Sequence, residues 1–453
     1  MQTFDLIVIG AGSGLNISSA AAERGMKVAV VEKGPIGGTC LNRGCIPSKI
    51  IIHSADVAET IRKSKMFGIN SKIFSVDFKK ITSRASNIVD KDAREIEIGI
   101  KEDKNTTLFK AEAKFVGERI LQVGKETIKG DKIVIAAGTS PSIPNVEGLK
   151  EVDFITSDGA LRLRKQPKVM TILGGGYIAA ELAHFYGALG TKINIIQRNK
   201  ALVPNEDEEI SNKFTEIFSR KYNVMTGFDA VKVSKKGKNF IVAANNKKTT
   251  KKIISDKLLV AAGRVPNAHI LDVKKTNVEM DEKGFIKTNQ YLETTAKNIW
   301  AFGDIAGKFL FKHSANLEAQ YAYSNAVLGK KVAVDYSAMP HAIFSSPQVA
   351  GVGLREQDLK SKKIDYAAGR YDYKNSGMGT ALQDNEGFAK IFADRKTRKI
   401  LGCHILGTDA STLIHEVIIA MKNNLTADAI SNSVHIHPAL SEVVQRAVNG
   451  IEW

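Results

Sequence analysis

Cysteine is scarce in this sequence, three residues in 453, which excludes a disulfide-stapled secreted scaffold. Long apolar runs are missing too. No stretch approaches the ~18 consecutive apolar residues of a membrane-spanning helix, so no membrane partner is expected. Met1 leads directly into FDLIVIGAG, a core strand rather than a charged front with a cleavage site, and the expected compartment is the cytoplasm. Acidic residues are in deficit, 48 against 65 basic ones, for a net charge of +17. Such an excess raises nucleic acid as a partner. The lysines, however, are scattered through KKGKNF, NNKKTTKKI and KSKKID without interleaved aromatics. Solvated faces account for them, and no nucleic acid is expected.

What is present is core material. With 43% hydrophobic and 25% charged residues, the chain can bury large cores and divides into two to four domains. The segment FDLIVIGAGSGLNISSAAAERGMKVAVVEKG predicts a strand, a glycine turn, a helix with small residues on one face, and a second strand ending at Glu32. This is a βαβ unit. Gly10, Gly12 and Gly14 permit a tight turn and close backbone approach of a pyrophosphate to the helix N-terminus, and Glu32 stands where a carboxylate binds ribose hydroxyls. Leu15 occupies the place of the third glycine of a G-x-G-x-x-G pattern, so helix and strand are expected to pack differently there. KVMTILGGGYIAAELAHFYGALGTKINIIQR repeats the unit with Gly174, Gly176 and Ala179. Its second strand ends at Gln197 and Arg198. An acid there would repel a 2′-phosphate, whereas Arg198 can pair with one, so both nicotinamide dinucleotides are open with a lean toward NADPH.

Two of the three cysteines, Cys40 and Cys45, stand in GGTCLNRGCIPSK, between the strand-like KVAVVEKG and the helical IIIHSADVAETI. A close pair in a reducing compartment points to catalysis or metal. Zinc would need further cysteines or histidines at ligand spacing, and none accompany this pair, so no metal is expected. Two dinucleotide units beside a cysteine pair are the parts for moving electrons from a nicotinamide through a flavin to a disulfide. That chemistry needs one sulfur facing substrate and one facing the flavin. A thiolate at the start of the following helix would be stabilised by the helix dipole. Near the C-terminus, HIHPALSEVV places His437 five residues before Glu442 at a helix start, an acid–base group with an orienting carboxylate. Cys403, in ILGCHILG, reads as core.

In order along the chain, GGTCLNRGCIPSK, IVIAAGTSP, LGGGYIAAE, AAGRVPN, AFGDIAG and HIHPALSE resemble the motifs of the pyridine nucleotide-disulfide oxidoreductases, and the resemblance covers the whole chain. It implies an α/β fold with two Rossmann-like dinucleotide-binding domains and a C-terminal α+β dimerisation domain. The divisions are 1–145 and 269–335 for FAD, 146–268 for NAD(P), and 336–453 for the interface. It implies that Cys40 is the interchange thiol and Cys45 the charge-transfer thiol. Lys49 would pair with Glu181 by the flavin, Tyr177 would cover the nicotinamide pocket, and Asp304 would bind the ribitol chain. Lys312 would approach the ring through its backbone, and Arg264 would sit in the nicotinamide domain. Gly38, Thr39, Ala113, Gly138 and Gly263 join the cofactor-binding set. His437 and Glu442 would act across a homodimer interface. CLNRGCIPSK is similar to dihydrolipoamide dehydrogenase, whereas GAGSGLN, KHSANLEA and HPALSEVV are similar to mycothione reductase. The expected activity is oxidation of dihydrolipoamide, free or on a lipoyl domain of a 2-oxoacid dehydrogenase complex, by NAD. The alternative is NADPH-dependent reduction of a small disulfide, and a non-catalytic flavin-binding interaction protein is the third reading.

Overall fold

The computed structural model describes all 453 residues. The first βαβ unit builds the centre of a seven-stranded sheet. Strand Gln2–Ile9 lies between Val28–Val31 and Glu126–Ile135, with Thr106–Phe109 outside Val28–Val31, all parallel. Leu6, Ile7 and Val8 are fully buried, as a strand covered on both faces requires. Ile299–Ala301 adds a further parallel strand beside Glu126–Ile135, returning the chain to this sheet after a long excursion. The excursion is the second unit, a four-stranded parallel sheet in the order Asn223–Thr226, Lys192–Gln197, Val169–Leu173, Lys257–Val260. Three antiparallel strands between Asp229 and Ser255 form a separate sheet beside it.

The remainder is antiparallel. Strands Pro340–Ile343, Gln348–Gly353, Ile400–Gly407, Phe388–Asp394 and Tyr366–Asp372 form a five-stranded sheet in that order, covered by helices Ala410–Lys422 and Glu442–Asn449. Alternation of strand and helix gives the parallel layers and successive strands give the antiparallel one, as the sequence pattern implies. No helix is long and apolar enough to cross a membrane.

Two local expectations need correction. Gly14, rather than a residue at the Leu15 position, supplies the close helix–strand approach. A Cβ on Gly14 would collide with the Gly10 carbonyl oxygen and lie 2.8 Å from Val8 Cγ1, so the third-glycine role has moved one residue earlier. The helix expected over IIIHSADVAETI begins at Cys45 and runs Cys45–Lys63, while Cys40 sits in a separate short helix, Gly38–Arg43, broken from it by Gly44.

Gly14→Ala should therefore overpack the turn, at a cost of about 1–3 kcal/mol. A lowered thermal midpoint together with lost flavin retention is the expected result, and a variant matching the parent in both would show that the turn has slack.

Candidate active site

The cysteine helix is seated on the first glycine turn. Gly37 N–H donates to the Ala11 carbonyl at 2.9 Å, and a Cβ on Gly38 would lie 2.6 Å from Gly12 Cα. Backbone meets backbone here, so the redox pair and the dinucleotide turn share one wall of a cavity of about 1290 Å³. Of the expected cofactor residues, Gly10, Gly12, Glu32, Gly38, Thr39, Ala113, Gly138, Asp304 and Lys312 line it, with Cys40, Cys45, Lys49 and Glu181.

These residues fit an extended, phosphate-bearing dinucleotide. An added Cβ on Gly12 would meet only Gly38 Cα, at 3.6 Å, so that side of the turn is open. The Glu32 carboxylate is held by the N–H groups of Ala11 at 3.0 Å and Gly34 at 2.7 Å at the edge of the cavity. Burial pushes the Asp304 carboxyl up, although Thr139 donates to it at 2.8 Å. Such a carboxyl is suited to hydroxyl partners.

Lys49 donates to both Glu181 oxygens at 2.8 Å. Phe344 N–H also donates to Glu181, at 3.0 Å, and the Lys49 ammonium lies 4.4 Å over the Phe344 ring. This joins the cysteine helix, the second unit and the antiparallel domain at one point. Nothing in the motif around Phe344 announced it.

Both sulfurs are thiols in this structure. Cys45 donates a hydrogen bond to Cys40. That hydrogen bond is the largest cause lowering Cys40 to about 7, against burial and with help from Lys312 and Lys49. Cys45 is pushed far up by the same bond, by burial, and by the negative charge of Cys40. Lys49 also lowers Cys45, where the hydrogen bond and burial outweigh it. Lys312 also brings its side chain to the site. Its ammonium donates to Ser13 at 2.8 Å, and burial lowers its pKa.

The second glycine turn lies off this cavity. Gly174, Gly176, Ala179, Gln197, Arg198 and Gly263 do not line it, and only Tyr177, Ile178, Glu181 and Leu182 from the adjoining helix do. Ala179 is fully buried, packing the helix. Gln197 is buried and reaches back toward the Ala201 carbonyl at 3.4 Å, so its side chain stays within its own loop. Arg198 is exposed. A Cβ on Gly176 would meet nothing within 4 Å, which leaves the N-terminus of helix Tyr177–Ala188 open to a phosphate. Arg264 is pinned to the first unit by bonds of 2.7 Å to the Thr139 hydroxyl and carbonyl, and so serves the first cavity instead of the second.

His437 and Glu442 are together: Nδ1 lies 3.0 and 3.1 Å from the two carboxylate oxygens, and Ala439 N–H donates to the same carboxylate at 3.1 Å. The His437 bond is the first cause holding Glu442 below the usual carboxylate range. The imidazole is 74% exposed and does not line the cavity of its own chain.

Alkylation of Cys40 should follow a thiolate titrating near pH 7, with reactivity rising as pH rises through that value. Cys45→Ala removes the largest stabilising bond and should move the midpoint toward the ordinary thiol value of ~8.5. An unmoved midpoint would assign the low pKa to the lysines instead.

Residues 4–326 match the family model described as pyridine nucleotide-disulphide oxidoreductase, and residues 339–448 match its dimerisation domain. The mycothione reductase of Mycobacterium tuberculosis (strain ATCC 25618 / H37Rv) is 34% identical over 465 residues, covering 100% of both chains. The dihydrolipoyl dehydrogenase of Bacillus subtilis (strain 168) is 32% identical over 451 residues, covering 98% of this chain and 95% of that one. Among solved structures, the HOCl-induced flavoprotein disulfide reductase RclA from Escherichia coli superposes with a TM-score of 0.87 at 25% identity, covering 99% of each chain. This chain belongs to the pyridine nucleotide-disulphide oxidoreductases, flavoprotein oxidoreductases that use FAD and NAD(P)H.

Proposed function

We propose that this protein is an NADPH-accepting reductase of a small disulfide, working as a homodimer. The observation that carries the direction is the contrast between the two units. The first ends in a carboxylate, Glu32, fixed by two backbone N–H groups. The second ends in Gln197 followed by the exposed Arg198-Asn199-Lys200, with no acid to repel a 2′-phosphate. Dihydrolipoyl dehydrogenase is the second reading, favoured by CLNRGCIPSK and by relatives of that name at 32% identity.

Bound FAD supplies the two-electron connection between nicotinamide and the cysteine pair, in a site formed by Gly10, Gly12, Glu32, Thr39 and Asp304. The remaining steps belong to the chain. Cys40 thiolate attacks one sulfur of the substrate disulfide, forming a mixed disulfide and releasing the first thiolate, which takes a proton from the His437 imidazolium. Cys45 gives its proton to the freed imidazole and attacks the Cys40 sulfur. The Cys40–Cys45 disulfide re-forms, and the second leaving thiolate takes that proton. Two electrons and two protons pass to the substrate. Glu442 orients His437 and stabilises its cationic form, while the Lys49–Glu181 pair fixes charge beside the ring.

Homodimerisation is supported by the surface around His437. Val434 is 100% exposed and Ile436 79% exposed, alternating with His435 and His437, so apolar side chains flank the imidazole with no cover in their own chain. In this reading His437 of the partner subunit meets Cys40, giving two equivalent sites.

Steady-state kinetics with mycothiol, glutathione and lipoamide disulfides, each with both nicotinamides, test the reading. Turnover of a small thiol disulfide with NADPH is expected, and turnover of lipoamide or dihydrolipoamide alone would favour the dehydrogenase. His437→Gln should lower turnover by about 10²-fold or more with flavin reduction by nicotinamide unchanged, and Glu442→Gln should cost less. Equal losses in both half-reactions would remove His437 from thiol chemistry.

A further inference from the structure

The register of the antiparallel sheet places His341, Gly351, His404, Lys390 and Arg370 opposite one another across all five strands. Four basic side chains thus form one row. Gly351 makes room within it, since a Cβ there would lie 2.7 Å from the His341 ring and 2.8 Å from His404 Nδ1. His404 Nε2 donates to the Leu354 carbonyl at 3.0 Å, and its Nδ1 has no partner.

Against this row lies the acidic segment 206–209 of the second dinucleotide unit. Glu206 Oε2 is 2.8 Å from His341 Nε2. Lys390 is 3.3 Å from Asp207 and 3.0 Å from Glu209, and Arg370 is 2.8 Å from Glu209. Backbone groups are engaged as well: Gln357 donates to the Glu206 carbonyl at 2.9 Å, and Glu356 N–H to Asp207 at 3.0 Å. The Glu206 side chain is wholly buried, so its charge depends on these partners.

The other Glu206 oxygen accepts the hydroxyl of Tyr177. Tyr177 opens helix Tyr177–Ala188 directly after the second glycine turn. It lines the cavity that the turn itself does not reach. Its ring lies 6.1 Å from those of both Phe311 and His341, with planes within 21° of parallel. Tyr177 thus lies on the cavity wall next to the second glycine turn, held at its tip by a charge-assisted bond to Glu206.

We propose that Glu206 and His341 are positioning residues that latch Tyr177 across the passage from the second dinucleotide turn to the flavin cavity, so that the antiparallel domain sets how readily nicotinamide reaches the ring. Both act through Tyr177 and touch no reacting atom. The proposal rests on the reading that reduced nicotinamide delivers electrons through this cavity. Part of the binding free energy of the dinucleotide is then spent breaking the Tyr177–Glu206 bond, and weakening that bond returns it as affinity.

Calorimetric titration of the FAD-loaded protein with NADP+, in parallel with rapid-mixing reduction of the flavin by NADPH, tests this. Tyr177→Phe and Glu206→Gln should each lower the NADP+ dissociation constant by about tenfold, and Glu206→Gln should leave the limiting rate of flavin reduction within twofold of the parent. The Tyr177→Phe/Glu206→Gln double variant should gain no more than either single one, because both break one bond. His341→Phe, which keeps the ring but not the donor, should behave like Glu206→Gln, and His341→Gln, which restores a donor, should revert toward the parent. Should a Glu206 variant fail to fold, Tyr177→Phe combined with His341→Phe and His341→Gln makes the same comparison. Unchanged or weakened NADP+ binding in the folded variants, or additive effects in the double variant, would overturn the latch. Parent protein that neither binds NADP+ nor is reduced by NADPH would overturn the functional reading, and the latch with it, whereas a normal parent with indifferent variants overturns the latch alone.

Discussion

Everything at the site depends on one contact between two stretches of bare backbone. Gly12 and Gly38 approach so closely that a single Cβ would be 2.6 Å from the opposing Cα, and the Gly37 N–H to Ala11 carbonyl bond at 2.9 Å fixes the register of that approach. The contact makes the glycine turn of a dinucleotide site and the start of the cysteine segment into one surface. Without it, Cys40 and Cys45 would be a pair of thiols on a helix near a nucleotide. With it, they are walls of the same cavity.

Charge is then distributed around the thiols by elements remote in sequence. Lys312 comes from the helix Lys312–Ala322, Lys49 from the helix that Cys45 opens, and Glu181 from the second unit. The two lysines favour negative charge on Cys40, and on Cys45 Lys49 favours it while Glu181 opposes it. The Cys45 hydrogen bond and these charges make the two sulfurs unequal, an asymmetry that a thiol–disulfide exchange can use. The antiparallel domain enters through Phe344 and through the row of basic residues facing Glu206–Glu209. It is thus a structural partner of both active faces as well as a dimerisation module.

What could be read in the sequence was what is local. The glycine turns, the Cys40–Cys45 spacing and the His437–Glu442 pair each lie within a few residues, and their backbone consequences follow from turn and helix geometry. The Lys49–Glu181 pairing was reachable only by resemblance, since it spans two units. The lowered Cys40 pKa was not legible, because it depends first on a hydrogen bond from Cys45 and then on Lys312, far along the chain, folding its ammonium toward Cys40. Nor was the His341–Glu206–Tyr177 arrangement, which arises from strand register in one domain meeting a loop from another. His341 carries no motif, and Glu206 sits in an acidic run that reads as a solvated helix start. Gln197 shows the converse: it stands where an acid would grip a ribose hydroxyl, and burial turns its side chain into its own loop.

The central claim is that electrons from a pyridine nucleotide end on the Cys40–Cys45 pair. Thiol counting answers it directly. Protein in the oxidised form is treated anaerobically with one equivalent of NADPH, quenched under denaturing conditions and titrated with a thiol reagent. The account requires two new thiols per chain, located by peptide mapping at Cys40 and Cys45, with Cys403 unchanged. Bleaching of the flavin without any gain in thiols would contradict it, because the electrons would then stop short of the cysteines.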